Sequence, residues 1–348
     1  MPVTISTPYV GGLSDAQKVM AYNSIVEQGF SAPFDRPQEL VYPKIAAVKS
    51  PKDLGIPEGH MPKTVTFGFS PPNSKAHELI TARQPRPLTM HSIELSPKIY
   101  ADTLYAERKD FDTDLLNILR KVPRDLRRTE AKNPDVLLAD LLRNGKTALD
   151  YTGLSNFFAT GKKCSPEGQV SDTYSNLYTG RPLTESNIAY GVQQMMTIRA
   201  PDGLLLGVRP RKLVVPFSLW HDAVVATQAK SIVFTGQNPA PGQVGASLNA
   251  AAQGENVQST ILKWIEEIIV FDYLEDGQDI NSTSWYLMDT NDGPVSLLYA
   301  LVQPAEYTSL MSPTDPNVFH QERYYWGYRK AEAVGYGLPQ YIARFEAA

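Results

Sequence analysis

Apolar residues along the chain follow two periods, and the switches between them mark the elements. The clearest helical segment runs from Asn133 to Asn144. Val136, Leu137, Leu138, Leu141 and Leu142 form a broad apolar stripe of the kind that packs on a sheet. Its ends read as helix ends. Asn133 caps, Pro134 takes the first helical position, and Asp135 and Arg143 face the positive and negative ends of the dipole. Gly145 supplies a left-handed stop. Upstream, Leu115, Leu116, Ile118, Leu119 and Val122 share a face from Asp112 onward, with Pro123 as a kink or restart. Together these predict a long, broken helix of about thirty residues, roughly 45 Å, which needs a sheet to lie on.

Strand-like alternation flanks that helix. Lys63 to Phe69 sets Val65, Phe67 and Phe69 on one side, and Leu88 to Leu95 turns Met90 and Ile93 inward. Between them lies a polar tip that carries Lys75, Arg83 and Arg86, so residues 63–97 read as a long hairpin. Downstream, Thr184 caps a helix with Ile188, Val192, Met195 and Met196 on one face, where the methionines fill a core. Leu204 to Val208 and Lys212 to Val215 read as short strands. Phe217 to Ala229 reads as a helix that packs Leu219, Trp220, Ala223 and Val224. Further strands are expected at Ile265 to Tyr273, Ser284 to Met288 and Val295 to Val302. A final strand lies in Phe319 to Val334, with Tyr324, Trp326 and Tyr328 on one face and Tyr325 on the other. Residues 235–260, rich in Gly, Asn, Gln and Ala, read as a mobile loop.

Proline changes the picture of the N-terminal part. Thirteen of the 27 prolines fall within the first 97 residues. Proline removes ladder donors and fixes φ, so this region is a poor compact core. One helix interrupts it, from Ser14 to Gly29. Residues 30–62 then read as an extended arm or a mobile linker. The chain of 348 residues is otherwise ordinary in composition, with 42% hydrophobic and 20% charged residues. No apolar run is long enough to span a bilayer. A net charge of −4 argues against a protein that grips nucleic acid through its phosphates.

Candidate chemistry is sparse. His60, His77, His91, His221 and His320 stand at no metal-ligand spacing. There is no nucleophile elbow, phosphate-cradling loop or dinucleotide fingerprint. Glu266 and Glu267 are adjacent, so in a strand they face opposite ways. Asp150 beside Tyr151 reads as a turn, and the single cysteine, Cys164, has no histidine near it in sequence. Arg124, Arg127, Arg128 and Lys132 form a basic cluster without interleaved aromatics, a solvated face or a partner for carboxylates. No catalytic, cofactor or metal site is expected.

One ordered set of pieces goes further. Asn133-Pro134-Asp135 with Leu137-Leu138 is followed by Asp150-Tyr151-Thr152-Gly153 and Asn156-Phe157-Phe158. Then come Ser175-Asn176-Leu177, Leu183-Thr184, Pro201-Asp202-Gly203, Leu206-Gly207-Val208-Arg209-Pro210 and Leu213-Val214-Val215-Pro216. This order resembles the major head subunit of Mu-like tailed phages. Two departures are Thr152 within the second piece and a Lys162-Lys163 run where a histidine often follows the paired phenylalanines. The resemblance implies an α+β chain with the Hong Kong 97-type capsid fold: a spine helix on an antiparallel sheet, a second α/β lobe and an extended hairpin. The implied division is an arm (1–62), the extended loop (63–97), a peripheral domain (98–183), an axial domain (184–302) and a C-terminal return to the peripheral domain (303–348). It implies a virion protein, assembled in the host cytoplasm, that forms hexamers and pentamers around double-stranded DNA without binding it specifically and without a membrane. Its partners would be copies of itself, a portal and a decoration protein. A separate scaffold protein is expected, because one short helix and a proline-rich arm leave no room for a built-in scaffold. A cellular nanocompartment shell of the same fold, or a soluble enzyme with an unrecognised site, are the alternatives.

Overall fold

The computed structural model describes residues 40–57, 59–69, 91–109, 122–163, 173–200, 204–228, 264–275, 283–290, 296–312 and 314–347. The expected helices at Ser14 to Gly29 and from Asp112 to Lys121, Met90, Cys164 and the 235–260 segment lie outside these residues.

The central element is one helix, α2 (Val122–Asn144), preceded by a short helix, α1 (Tyr42–Ile45). α2 is continuous. Pro134 sits inside it, so Asn133 is not a cap as its sequence neighbours predicted. The Asn133 amide instead donates to the carboxylate of Glu332, 199 residues away. Asp135 does not serve its own helix end either. It is buried, and it accepts the amides of Val41 (3.2 Å) and Tyr42 (2.6 Å), which caps α1. Gly145 ends α2 but takes no left-handed conformation. It is glycine because a Cβ there would lie 2.5 Å from the Phe158 ring.

α2 lies on a four-stranded sheet ordered β1 (Ala47–Lys49), β11 (Leu297–Leu310), β12 (Arg323–Tyr336), β4 (Lys98–Glu107). β11, β12 and β4 are antiparallel, and β1 adds in parallel. On β12 the even positions Tyr324, Trp326 and Tyr328 are buried, as alternation predicted. Odd positions Ala331 and Ala333 face the other way, under the hairpin of β2 (Val65–Phe69) and β3 (His91–Leu95). Val65, Phe67, Ile93 and Leu95 are buried there against Leu298, Ala300 and Val302. The hairpin root is therefore core.

A second, five-stranded sheet is ordered β7 (Leu177–Tyr178), β13 (Ile342–Glu346), β10 (Ser284–Met288), β8 (Lys212–Val215), β9 (Glu267–Val270). Each central strand divides its side chains cleanly. Val214, Tyr286, Met288 and Ile342 join the core of Leu138, Leu142, Phe157, Phe158 and Tyr299, so the C-terminal half of α2 binds both sheets together. Leu213, Val215, Trp285, Leu287 and Phe345 face α3 (Glu185–Met196) and α4 (Trp220–Gln228). Trp285, Phe345 and Tyr178 stack in series, with centroids 4.1 and 4.8 Å apart. The remaining short pair is β5 (Lys162–Lys163) with β6 (Thr173–Tyr174), and α5 (Pro316–Gln321) precedes β12.

Several expectations change. Leu204 to Val208 forms no strand; only an isolated bridge joins Leu205 to Arg199, and Leu204 and Leu205 are exposed. Trp220 is exposed rather than packed. β11 runs eight residues past the expected end at Val302, because β12 pairs with it through two register shifts around Pro304. Two strands cross the expected division of the chain. β13, near the C-terminus, and β7 both lie in the second sheet rather than with α2. β13 brings Arg344, whose guanidinium donates to the carbonyls of Leu142 (3.0 Å) and Arg143 (3.1 Å), while Tyr336 donates to that of Leu141 (2.8 Å). The last carbonyls of α2 are thus satisfied by the far end of the chain. Arg143, expected to serve that end, donates to the Tyr273 carbonyl instead.

Two predictions follow from the packing. Gly191 lies inside α3, where alanine normally gains about 1 kcal/mol. Here a Cβ would lie 2.5 Å from Phe345 and 2.7 Å from Leu287, and overpacking costs roughly 1–3 kcal/mol. Gly191→Ala is expected to lower the melting temperature; an increase would show that the helix floats free of the sheet.

The second concerns Lys162 and Asp150, a fully buried pair 2.8 Å apart. Lys162 also donates to the carbonyls of Asn156 and Phe157, and Asp150 accepts from Thr152 and Ser155. Burial pushes the Asp150 carboxyl up, but Lys162, Thr152 and Ser155 outweigh it and hold it below the usual aspartate value. A depressed carboxylate stabilises the fold above its unfolded pKa, and that contribution is lost as pH falls through the folded one. Asp150→Asn should cost about 3–5 kcal/mol at pH 7 in urea unfolding, since Lys162 stays buried without its counter-charge. The gap to the unmodified protein should narrow below about pH 4. A gap that widens with acid would refute the assignment.

Candidate intersubunit site

The buried polar centre of the molecule joins α2 to its sheet. Glu332 is completely buried on β12 and accepts from Tyr299 (2.8 Å) and from Asn133. Lys330, two residues earlier on the same face, lies 3.1 Å from Glu332 and 2.7 Å from Glu130 on α2. Burial alone would pull the Lys330 ammonium down, but Glu332 and Glu130 outweigh it and hold its pKa above the ordinary lysine value. The Tyr299 hydroxyl is pushed far up, first by burial and then by Glu332. This cluster is a fastener, with each charge matched by a neighbour. The sequence held its signal: Lys330 and Glu332 share the even parity of Tyr324, Trp326 and Tyr328, so the alternation that buried the aromatics buries the charges too.

The candidate catalytic groups disperse. Glu266 pairs with Arg211 (2.6 Å) and Glu267 with Lys44 (2.9 Å). Asp150 is held by Lys162 as a structural pair. His221 is exposed on α4, beside Asp222. Among the described residues no group of three or more His, Cys, Asp or Glu side chains is placed to hold a metal. Two residues of the quoted sequence pieces have structural roles. Asn176 is buried, donates to the carbonyls of Phe157 (2.9 Å) and Pro339 (3.1 Å), and accepts the amide of Ala159 (3.0 Å). Thr184 caps α3 through the amide of Asn187.

What remains for function is surface. Lys75, Arg83 and Arg86 lie outside the described residues, and β2 and β3 lead towards them from a buried root. The basic cluster is not one patch. Arg128 lies 3.9 Å from Asp125, Lys132 is exposed, and Arg127 turns into a groove between α2 and β11 lined also by Tyr42, Lys49, Glu130 and Tyr307. At the far end of the four-stranded sheet, Leu310, Tyr325 and Tyr105 form a row across three strands, and Arg323 lies over the Tyr105 ring. Tyr105 is 59% exposed.

The chain matches the model of one protein family, phage capsid protein, over residues 94–342. No curated protein matches it. Among solved structures it resembles the procapsid of bacteriophage JBD30, with a TM-score of 0.52 and 17% identity over 97% of this chain and 77% of that one. It also resembles the capsid of cyanophage P-SCSP1u, with a TM-score of 0.52 and 11% identity over 99% and 93%. These likenesses carry the fold, which is of the Hong Kong 97 type. The family match spans well over half of the sequence, so the chain belongs to the phage capsid protein family, as a structural shell protein and not an enzyme.

Proposed function

We propose that this subunit assembles into hexamers and pentamers that close into an icosahedral head around double-stranded DNA. It would act in the virion after assembly in the host cytoplasm. The observation that carries the reading is the family match across the spine helix and most strands of both sheets, together with a hairpin anchored by a buried root. α2 with the four-stranded sheet corresponds to the peripheral domain, and the five-stranded sheet with α3 and α4 to the axial domain. Residues 1–62 remain the arm of this reading, except that α1 and β1 within them pack onto α2 and the four-stranded sheet, and 63–97 is the extended loop. Within the family, the ordered pieces from Asn133 to Pro216 favour the Mu-like branch. A separate scaffold protein, a portal and a decoration protein are the further partners. Negative-stain microscopy of the purified protein tests the reading. Closed shells or capsomer rings support it, DNA inside distinguishes a head from a nanocompartment, and dispersed monomers would sink it.

In this reading the hairpin tip works between subunits. Lys75, Arg83 and Arg86 meet carboxylates of a neighbouring copy, each pair contributing only about 0–1 kcal/mol, repeated at every contact of the shell. Replacing Asn73 to Pro85 with a Gly-Ser link should leave monomer unfolding nearly unchanged, since the root supplies the buried side chains, and should abolish or strongly impair assembly. Normal shells from the shortened protein, or an unfolded monomer, would each show that the tip is not an intersubunit element.

The wall should also let DNA slide during loading. A strongly basic surface would hold it through counterion release, whereas this chain carries −4. Gel-shift assays of the unassembled subunit should show weak, sequence-independent binding to duplex DNA at physiological salt. Tight, specific retention would contradict the proposal.

A further inference from the structure

The four-stranded sheet has two edges, and they differ. Beyond β1, the outer edge of β11 carries Pro304 and two register shifts, devices that discourage strand addition. β4 carries neither. Its ten residues pair with β12 in unbroken register from Lys98 to Glu107, and no described strand lies on its other side. In an antiparallel ladder alternate residues turn their backbone groups to one neighbour or away from it. The Arg108 amide continues the ladder by donating to the Glu322 carbonyl (2.8 Å), so even positions face β12. Ile99, Ala101, Thr103, Tyr105 and Glu107 therefore point their amides and carbonyls outward. The Thr103 amide is held by its own neighbour's carboxylate, Asp102, at 2.8 Å, a bond that strand pairing exchanges for one to a carbonyl of the added strand. Along this edge Ile99 and Tyr105 are 48% and 59% exposed on one face.

We propose that β4 is an interface strand that pairs antiparallel with β4 of a second copy across a local two-fold axis. The proposal rests on the shell reading, in which many copies meet. Outward residues must oppose outward residues, which restricts the register. Centring the pair on Asp102 sets Ile99 against Tyr105 of the second copy, twice by symmetry, and covers both exposed apolar side chains. The neighbouring register, centred on Thr103, would set Ile99 against a Glu107 carboxylate. The cost of the chosen register is Asp102 facing its own mate, since like charges directly opposite are unfavourable. This repulsion keeps free subunits apart and leaves the edge to be closed where other contacts hold two copies together.

The test uses the full chain with Cys164→Ser. Facing Asp102 positions form a non-hydrogen-bonded pair, whose short Cα separation suits a disulfide. Oxidised shells of Asp102→Cys should give at least tenfold more covalent dimer on non-reducing gels than the Lys98→Cys control. Ala101→Pro removes an outward amide that its own sheet does not use, so it should keep the melting transition and eliminate the crosslink in the double variant. Asp102→Asn should increase self-association of free subunits in sedimentation velocity. Dimer no higher than the control in well-formed shells overturns the edge pairing and leaves the shell reading intact. If the unmodified protein forms no shell, the shell reading falls, and the edge pairing is judged on crosslinking of the concentrated free subunit by the same control.

Discussion

A carboxylate with no access to water sets the terms for this fold. Glu332 sits at the middle of the interface between the spine helix and its sheet, and an isolated charge there would cost several kcal/mol. It is tolerated because Tyr299, Lys330 and Asn133 come to it from β11, β12 and α2. Glu130 completes the set by holding Lys330 from the helix. The partners come from α2, β11 and β12, so the cluster is satisfied only when helix and strands are in one relative position. An apolar contact would tolerate sliding of the helix along the sheet; this one defines the register. The same interval of the helix contains Pro134, whose missing amide weakens the turn that the cluster grips.

The C-terminal half of the helix is fixed differently. There it has apolar contacts to both sheets, and its last carbonyls are closed by Tyr336 and Arg344. Because Arg344 belongs to β13, the chain's final strand both completes the second sheet and seals the helix that lies on the first. The two sheets therefore share the core cluster around the C-terminal half of α2.

The sequence announced the parts whose signal is local. The apolar stripe of Leu138 to Leu142, the alternation of Tyr324, Trp326 and Tyr328, the strand Ser284 to Met288 and the Thr184 cap all appear where their patterns predicted. It misled where a residue with a strong local preference was recruited by distant chain. Asn133 and Asp135 look like the first turn of a helix, yet they bind Glu332 and the amides of Val41 and Tyr42. Gly145 looks like a left-handed stop and is instead a gap for Phe158. Leu204 to Val208 alternates too little to reveal that only Leu206 and Val208 turn inward. Sheet membership of β13 was not legible either, because no local pattern says which of two sheets a strand will join. As for the candidate site, Lys75, Arg83 and Arg86 were readable as charges, but one chain's sequence carries no signal for what such charges meet.

The surfaces that remain exposed fit a protein whose final state is an assembly. The strongest intramolecular polar contacts are all internal: Lys162 with Asp150, Lys330 with Glu130 and Glu332. Outside there are scattered apolar groups such as Tyr105 and Phe319, single exposed ion pairs and an edge strand with no further strand beside it among the described residues. None of these would hold two subunits firmly on its own, because exposed pairs contribute little and a lone edge contact carries the cost of ordering two bodies. Weak contacts are what closure requires. A subunit that bound its first neighbour tightly could not correct a misplaced one, whereas many weak contacts become decisive once each copy is held by several neighbours at once. A well-fixed interior with weakly adhesive edges is thus one physical solution, and in this chain the buried charges of Lys330, Glu130 and Glu332 fix the spine helix on its sheet.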